Sequence, residues 1–349
     1  MEIGSYAARD LVKTCKNGEI IIAGRDEKKA IKYAQSFKRK NVMGRKVDIK
    51  NKNALVELLN GSDVAVNCSN YYYNLEVMEA CLQAKCNYLD LGGLFHMTKK
   101  QLKLHNQFKK KKLIAVLWCG STPGITNVLA EYGSHFFDKI HEIHVTFADY
   151  DYSHYKHHFV LPYSIFTLED EFTEKPAVFT RGKLKFVKAL SGKKIISFPK
   201  PVGDINGYYT LHSELATFPA SFKNKGIKEC SFRVTFTDDF IHDVKIIIES
   251  GMLSKKPITI GNCKVVPADV ALKELNRLIP SQRDRVNDLE YISVEIIGIK
   301  NNKHKEDLTM TLDCLTKSDK KVNAPAGIVD TGVPPSIIAQ MISKKQVKK

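Results

Sequence analysis

The chain predicts a two-part α/β protein. A doubly wound parallel sheet, with its first strand apparently missing, precedes an α+β domain with an antiparallel sheet. Three observations predict this. Short apolar runs alternate with helical patterns up to about residue 127. Longer runs with period-two alternation follow. The chain also opens on "MEIGSYAARDL", which reads as the end of a glycine-rich turn entering a helix, with no strand before it.

The strand-like runs of the first part are EIIIAG (19–24), RKVDI (45–49), DVAVNC (63–68), NYLDLGG (87–93) and LIAVLWCG (113–120). They are short and apolar, as buried parallel strands are. The helical patterns DEKKAIKYAQSFK, NKNALVELLN, NLEVMEACLQA and TKKQLKLHNQFKKK lie between them. In the second part KIHEIHVTFADYDY, KLKFVKAL, ECSFRVTFTD, HDVKIIIESG, YISVEIIGIK and DLTMTLDCL read as strands. PYSIFTLEDEF, PADVALKELNRLI and PPSIIAQMISKK read as helices. There is no internal repeat and no Pro/Gly/Ser-rich linker.

With 349 residues the chain is long enough for two domains and a sizeable core. No apolar run reaches the roughly 18 residues of a membrane span. The first residues are polar and small, unlike a signal peptide. Eight cysteines are scattered with no C-x-x-C pair or metal-like cluster, which predicts reduced, mostly buried thiols in a cytoplasmic protein and no metal. The net charge of +16 comes mostly from lysines, in runs such as Lys109 to Lys112. Arginine and aromatic residues are not mixed with it, so solvated helix faces are expected rather than a specific nucleic-acid surface.

A dinucleotide site needs a strand, a G-x-G-x-x-G turn and a helix whose free N–H groups meet the pyrophosphate. Here Gly4 stands at the last glycine position and Met1 at the middle one, and a strand follows about 15 residues on. An acidic residue at the end of that strand favours NAD, whereas a small residue followed by arginine leaves room and charge for the 2′-phosphate of NADP. The sequence has Gly24-Arg25-Asp26, which points to NADP with Arg25 as phosphate partner; Asp26 also suits the cap of the next helix. Asp48, in RKVDI, joins the cofactor candidates.

The stretches DVAVNCSNYYYNLEVMEACLQAKCNYLDLGGLFHMTKKQLKLHNQF and LWCGSTPGITNVLAEYG resemble the saccharopine dehydrogenase-like (saccharopine reductase-like) oxidoreductases, nearest the branch containing lysine 6-dehydrogenases. The likeness continues through LPYSIFTLEDEFTEKPAVF, YYTLHSELATFP and DTGVPPSIIAQM. It implies a Rossmann-like NAD(P)-binding domain over residues 1–126, joined by a C-terminal helix at 330–349, and a substrate-binding and dimerisation domain at 127–329. It also implies a homodimer and hydride transfer at a C–N bond of an amino acid or imine, the substrate itself staying open. The family has a first strand and a full glycine loop; this chain starts after both, and it stops at ISKKQVKK where relatives run on. Two strand edges are then expected to lie unpaired, at about 1–3 kcal/mol per unsatisfied group, with weakened cofactor binding. The alternatives are a non-catalytic scaffold that keeps the fold, or an NAD-dependent lysine 6-dehydrogenase.

Ligands of such sheets bind beyond the C-terminal ends of the strands. Ser69 and Asn70 follow one strand there; Asp90, Gly92 and Gly93 follow the next, with glycines that permit close approach of the nicotinamide. Pro123-Gly124 opens a helix whose N–H groups suit an anionic substrate group, and Asn127 either adds a side-chain hydrogen bond or is a helix-surface or interdomain residue. Amine oxidation needs a base for the nitrogen proton. In TLHSE, His212 and Glu214 stand two apart and, on a strand, share a face; they are the acid/base candidates, an ordinary buried His–Glu bond being the other reading. Tyr163 either orients substrate or packs in the core. Glu169, Asp170 and Glu171 read as helix-surface charge, the other reading being that one of them faces an amine. HYKHH (154–158) lacks carboxylate partners at ligand spacing and reads as an exposed loop.

Overall fold

The computed structural model describes residues 3–155, 159–163, 165–278, 286–300 and 307–347. The chain divides into two units, residues 1–128 with 327–349 and residues 129–326.

The first unit alternates helix and strand from its start. Its elements are α1 (Ile3–Thr14), β1 (Ile20–Gly24), α2 (Glu27–Ser36), β2 (Val42–Lys46), α3 (Lys52–Leu59), β3 (Val64–Asn67), α4 (Asn74–Ala84), β4 (Asn87–Asp90), α5 (Phe95–Leu102), α6 (His105–Lys110) and β5 (Ala115–Val116). The helix starts are written in the sequence. Asp26 caps α2 by accepting from Lys29 N at 3.0 Å, and Asn51 caps α3 by accepting from Ala54 N at 3.2 Å.

All strand pairs in this unit are parallel. β1 pairs with β2 from Ile20↔Val42 to Gly24↔Lys46, and β4 pairs with β3 on one side and β5 on the other. The two sheets are separate, and among the described residues no strand pairs with the second edge of β1 or of β3. Ile21 of β1 remains 40% exposed.

Two boundaries differ from expectation. The strand expected at 45–49 runs from Val42 to Lys46. Gly44 is required there: a Cβ on it would stand 2.4 Å from Ile31 N, so α2 lies directly on that backbone. The single helix expected over TKKQLKLHNQFKKK is two, α5 and α6.

The second unit follows α7 (Ile125–Ser134), which crosses the boundary. Its elements are β6 (Lys139–Asp151), α8 (Ile165–Thr173), β7 (Ala177–Thr180), β8 (Lys183–Phe186), β9 (Lys194–Ser197), β10 (Asp204–Tyr209), α9 (Phe218–Ser221), β11 (Glu229–Thr235), α10 (Asp238–Glu249), β12 (Ile258–Ile260), β13 (Cys263–Val265), α11 (Pro267–Leu275), β14 (Asp288–Ile299) and β15 (Leu308–Lys317). The main sheet runs β15-β14-β6-β11-β10-β9, with β7 and β8 attached through β11. It is mixed, not antiparallel as expected: β11 lies parallel to β6, Glu229↔Glu142 to Val234↔Phe147. One face carries Ile143, Val145, Ile292, Val294, Ile296, Phe232 and Val234, all buried.

HDVKIIIESG is not a strand but most of α10. Thr237 caps that helix, accepting from Phe240 N at 3.2 Å, and Asp238 and Asp239 occupy its first turn. Ile241 and Val244 are buried three apart while Ile246 is 54% exposed, a helical period and not an alternating one.

The chain ends in α12 (Ala326–Ser343), longer at its start than PPSIIAQMISKK implies, with Pro334 and Pro335 inside it. Ala339 and Ile342 of α12 complete a core with Leu89, Ile114 and Cys119 of the first unit. α12 is tied to α1 by Ser336 on Asp10 and by Gln340 Nε2 donating to Thr14 Oγ1 at 2.8 Å.

Candidate active site

In the first unit the ends of β1 and β2 make an open cavity of about 560 Å³, lined by Arg25, Asp26, Glu27, Lys28 and Lys46. Asp26 is spent on the helix cap, which leaves Arg25, Lys28 and Lys46 as three cations around one space. That donor set fits the 2′-phosphate of NADP, with Arg25 directly after the glycine that ends the strand. Lys46 escapes a sequence reading that starts its strand three residues late. Asp48 is exposed and folds its own turn by accepting from Lys50 N at 3.0 Å. Gly4 lies in α1, where a Cβ would stand 3.0 Å from Cys68 Cβ, so its smallness serves close packing of that helix. Ser69 Oγ donates to Asn67 Oδ1 at 2.6 Å, and the Asn70 side chain accepts from Tyr72 N at 3.0 Å.

Asp90, a cofactor candidate by its place after the strand, is a sealed anchor with no exposed surface of its own. One carboxylate oxygen accepts from Gly92 N at 3.0 Å and Trp118 N at 2.8 Å; the other accepts from Tyr88 Oη at 3.0 Å and Gln101 Nε2 at 2.6 Å. Burial pushes this carboxyl up, and those four bonds pull it back. The anchor shapes the two loops beyond β4 and β5. Gly92 takes φ +135°, which side chains avoid, and Trp118 takes φ +62° with its indole donating to Thr98 Oγ1 at 2.9 Å. Gly93 is packed closely: a Cβ there would meet Asn74 Nδ2 at 3.2 Å.

The helix start at Pro123-Gly124 does not offer the free N–H groups expected for an anionic substrate. Gly124 N is taken by Asn127 Oδ1 at 3.1 Å, Ile125 N by Gly120 O at 3.0 Å and Asn127 N by Gly124 O at 3.0 Å. Asn127 is therefore a cap with its oxygen engaged in the loop. Gly124 has φ +136° and lies so close to Gly120 that a Cβ would stand 2.1 Å from its carbonyl oxygen.

In the second unit β10 ends at Tyr209, so TLHSE is a turn and His212 and Glu214 do not share a strand face. They meet all the same: His212 Nδ1 bonds Glu214 Oε2 at 2.7 Å. The imidazole stacks on Phe232 with centroids 3.7 Å apart and planes at 10°. Glu214 has no exposed surface, and the His212 side chain is 11% exposed. With Nδ1–H donating to the carboxylate, Nε2 is the nitrogen left to exchange a proton.

Glu171 is the residue the sequence misplaces. It is 4% exposed, not helix-surface charge, and accepts from Tyr163 Oη at 2.6 Å. Buried Ile165, Leu168 and Phe172 define the inner face of α8, and Glu171 falls beside them by helical spacing. That period was readable; an acidic triplet masked it. Burial pushes the Glu171 carboxyl up to about 7, with the Tyr163 bond and the His212 charge opposing. Burial also works against a charged His212, but the Glu214 carboxylate, bonded to it, and the Glu171 carboxylate together raise it above its ordinary value. The Tyr163 phenol is held neutral by burial and by Glu171. The Thr210 hydroxyl, just before the turn, is buried without a hydrogen-bond partner.

Among the described residues no three His, Cys, Asp or Glu side chains group as metal ligands; His157 and His158 of HYKHH fall outside those residues. All eight cysteines are free: four are buried, Cys263 is exposed and the rest are half-buried. No described helix is long and apolar enough to cross a membrane.

Residues 2–116 match the family described as the saccharopine dehydrogenase NADP binding domain, and residues 120–349 match the saccharopine dehydrogenase C-terminal domain. The chain belongs to the saccharopine dehydrogenase family. As a member it is an NAD(P)-dependent oxidoreductase with an NADP-binding domain. It is 25% identical to a carboxyaminopropylagmatine dehydrogenase of Synechocystis over 87% of this chain and 77% of that one. It is 28% identical to a carboxynorspermidine synthase of Vibrio cholerae over 74% of this chain and 66% of that one. Among solved structures its fold is similar to an apo saccharopine dehydrogenase (L-Glu forming) from Saccharomyces cerevisiae, with TM-score 0.74, 13% identity and coverage of 99% and 90% of the two chains. The family agrees with the sequence reading; neither curated relative is named a lysine dehydrogenase.

Proposed function

We propose that this chain is an NADP-preferring oxidoreductase that interconverts a carboxylated di- or polyamine and its imine, with His212 and Glu214 as the acid/base pair. The buried His212–Glu214 bond carries the reading, because it leaves one imidazole nitrogen able to exchange a proton. The names of the Synechocystis and Vibrio relatives support the substrate class. So does charge: Asp149 and Glu290 stand opposite each other on β6 and β14, and both act on Tyr163 beside Glu171, a setting suited to a cationic amine chain.

NADP supplies or takes the hydride when bound. The rest of the chemistry is the chain's own. In reduction, a proton moves from His212 Nε2 to the substrate nitrogen while the carbon gains the hydride; in oxidation, neutral His212 takes that proton back. Glu214 holds the ring by Nδ1 and stabilises its charged form. Arg25, Lys28 and Lys46 hold the 2′-phosphate. On the family resemblance the reading includes a cytoplasmic homodimer, which sedimentation velocity checks for its oligomeric part.

The test is a screen of carboxyalkyl di- and polyamines with NADP⁺ and NAD⁺, read by the absorbance of reduced nicotinamide. Turnover with NADP⁺, lost in His212→Ala, is expected. Activity only on unsubstituted lysine, or unchanged turnover in His212→Ala, sinks the reading.

A further inference from the structure

Trp118 stands in the backbone conformation least suited to it. Its φ of +62° is left-handed, which a bulky residue adopts only under strain and glycine or asparagine adopts readily. Lys85 and Lys112 also take positive φ, but at helix ends, where it is ordinary. Trp118 ends no helix; it lies two residues past the last paired position of β5. Three ties hold it there. Its backbone N–H donates to Asp90 Oδ1 at 2.8 Å, and its indole N–H donates to Thr98 Oγ1 at 2.9 Å. Gly124 lies against its carbonyl, so that a Cβ on that glycine would stand 2.7 Å from Trp118 O. Asp90 and Thr98 have no exposed surface, whereas Trp118 is only half-buried. The indole is therefore anchored by its N–H edge while the residue stays partly open to solvent.

The surroundings narrow what such a ring can meet. A doubly wound sheet takes its ligands at the C-terminal ends of its strands, and a strained residue there points to function. From Trp118 to Gly124 the loop reads WCGSTPG, one large aromatic among small residues and a proline. The loop after β4 comes equally close: a Cβ on Gly120 would stand 2.8 Å from Leu91 O, and one on Gly92 3.5 Å from Pro123 Cδ. The two loops thus meet with little side chain between them, and the indole is the one broad apolar face on them. Residues 91–130 contain no Asp or Glu, and Asp90 is sealed by its four donors. A cationic amine chain finds no counter-charge on these loops. A flat ring that binds by its face needs none.

We propose that Trp118 is the wall on which the nicotinamide ring of NADP packs. The proposal rests on the reading of Arg25, Lys28 and Lys46 as the 2′-phosphate site. A dinucleotide held by that phosphate at the ends of β1 and β2 carries its nicotinamide at its opposite end, and β4 and β5 belong to the other sheet of the same unit. The electron-rich indole face suits the ring best in its oxidised, positively charged form. Thr98 and Asp90 act through Trp118: one fixes the indole edge, the other the backbone that carries it.

The experiment begins with the unmodified protein. Trp118 is the only tryptophan, so all indole emission is its own. NADP⁺ and 2′-phospho-ADP-ribose, which lacks the nicotinamide, are titrated in turn, with calorimetry giving each Kd and emission reporting contact with the ring. NADP⁺ does not absorb where indole emits, so its quenching requires contact and not energy transfer. NADP⁺ is expected to quench, and the fragment to bind without quenching. In Trp118→Gly, which relieves the strained φ, the Kd for NADP⁺ is expected to rise about 2- to 10-fold while that of the fragment stays. Trp118→Phe keeps a ring and loses the Thr98 bond. It is expected to hold NADP⁺ nearly as tightly as the unmodified protein, which preserves the test if the glycine variant does not fold. The same emission change with both ligands, or an unmoved Kd for NADP⁺ in Trp118→Gly, overturns the assignment of Trp118. Quenching by a carboxyalkyl diamine and not by NADP⁺ also overturns it, and gives the indole to the substrate. Binding of neither nucleotide overturns the 2′-phosphate reading beneath it, a separate failure.

Discussion

Arg25 and Lys46 come from the ends of two adjacent strands and line one cavity, so each is expected to contribute to NADPH affinity by charge. Arg25→Ala is expected to weaken NADPH binding by about 10- to 100-fold, the range of a lost charge-assisted hydrogen bond, and NADH binding much less. Trp118, the only tryptophan, reports the titration from the loop beyond β5. An equal loss for both nucleotides would remove Arg25 from the 2′-phosphate site. Glu171 makes a stability prediction of its own. Its folded value of about 7 is raised above the ordinary 4.5, so the folded protein holds this proton more tightly than the unfolded chain. The associated stability is fully present below the ordinary value and is lost as pH rises through about 7. Glu171→Gln removes that loss. Relative to the unmodified protein it is expected to gain stability between about pH 5 and pH 8, by up to about 3 kcal/mol, in thermal melts across that range. A pH-independent difference would contradict the buried, costly carboxylate.

Elements in the first unit are locked by a few backbone positions. Asp90 joins the ends of β4 and β5 by accepting from Gly92 N and Trp118 N, and Gly124 lets the following turn fold back on Gly120. Asp90→Ala leaves those buried donors unpaired and is expected to cost about 3 kcal/mol or more, with a red shift of Trp118 emission. An unchanged emission spectrum and melting temperature would show that the network is dispensable. At this scale the sequence was legible where the signal is local. NLEVMEACLQA is a helix to the residue, and DEKKAIKYAQSFK and NKNALVELLN are helices with the caps their first residues suggest. It misled where a local preference met a tertiary contact. The β-branched run of α10 reads as a strand until its Thr237 cap and buried Ile241 and Val244 are weighed. The strand expected at 45–49 begins three residues earlier because α2 rests on β2 at Gly44.

For the whole molecule, the cofactor residues proposed here lie in one unit and the proton-handling residues in the other. NADPH at 100 times its Kd is expected to stabilise the protein by about 2.7 kcal/mol, seen as a rise in melting temperature. His212→Gln is expected to leave that rise unchanged while abolishing turnover; a reduced rise would tie His212 to nucleotide binding. With a net charge of +16, affinity for the polyanionic cofactor is expected to weaken as salt is raised.

The sequence by itself determined the alternation of helix and strand in the first unit, the helix caps, the Gly24-Arg25 strand end and the family. Each depends on neighbours in the chain or on spacing along one face. Only the tertiary structure decided that Asp90 is a buried anchor for two loops, that the Gly124 turn keeps its N–H groups for itself, and that the second sheet is mixed. It alone paired Tyr163 with a buried Glu171, and His212 with a buried Glu214. Burial and charge at those positions come from groups distant in sequence, and no local period records which of three adjacent acids will face the core.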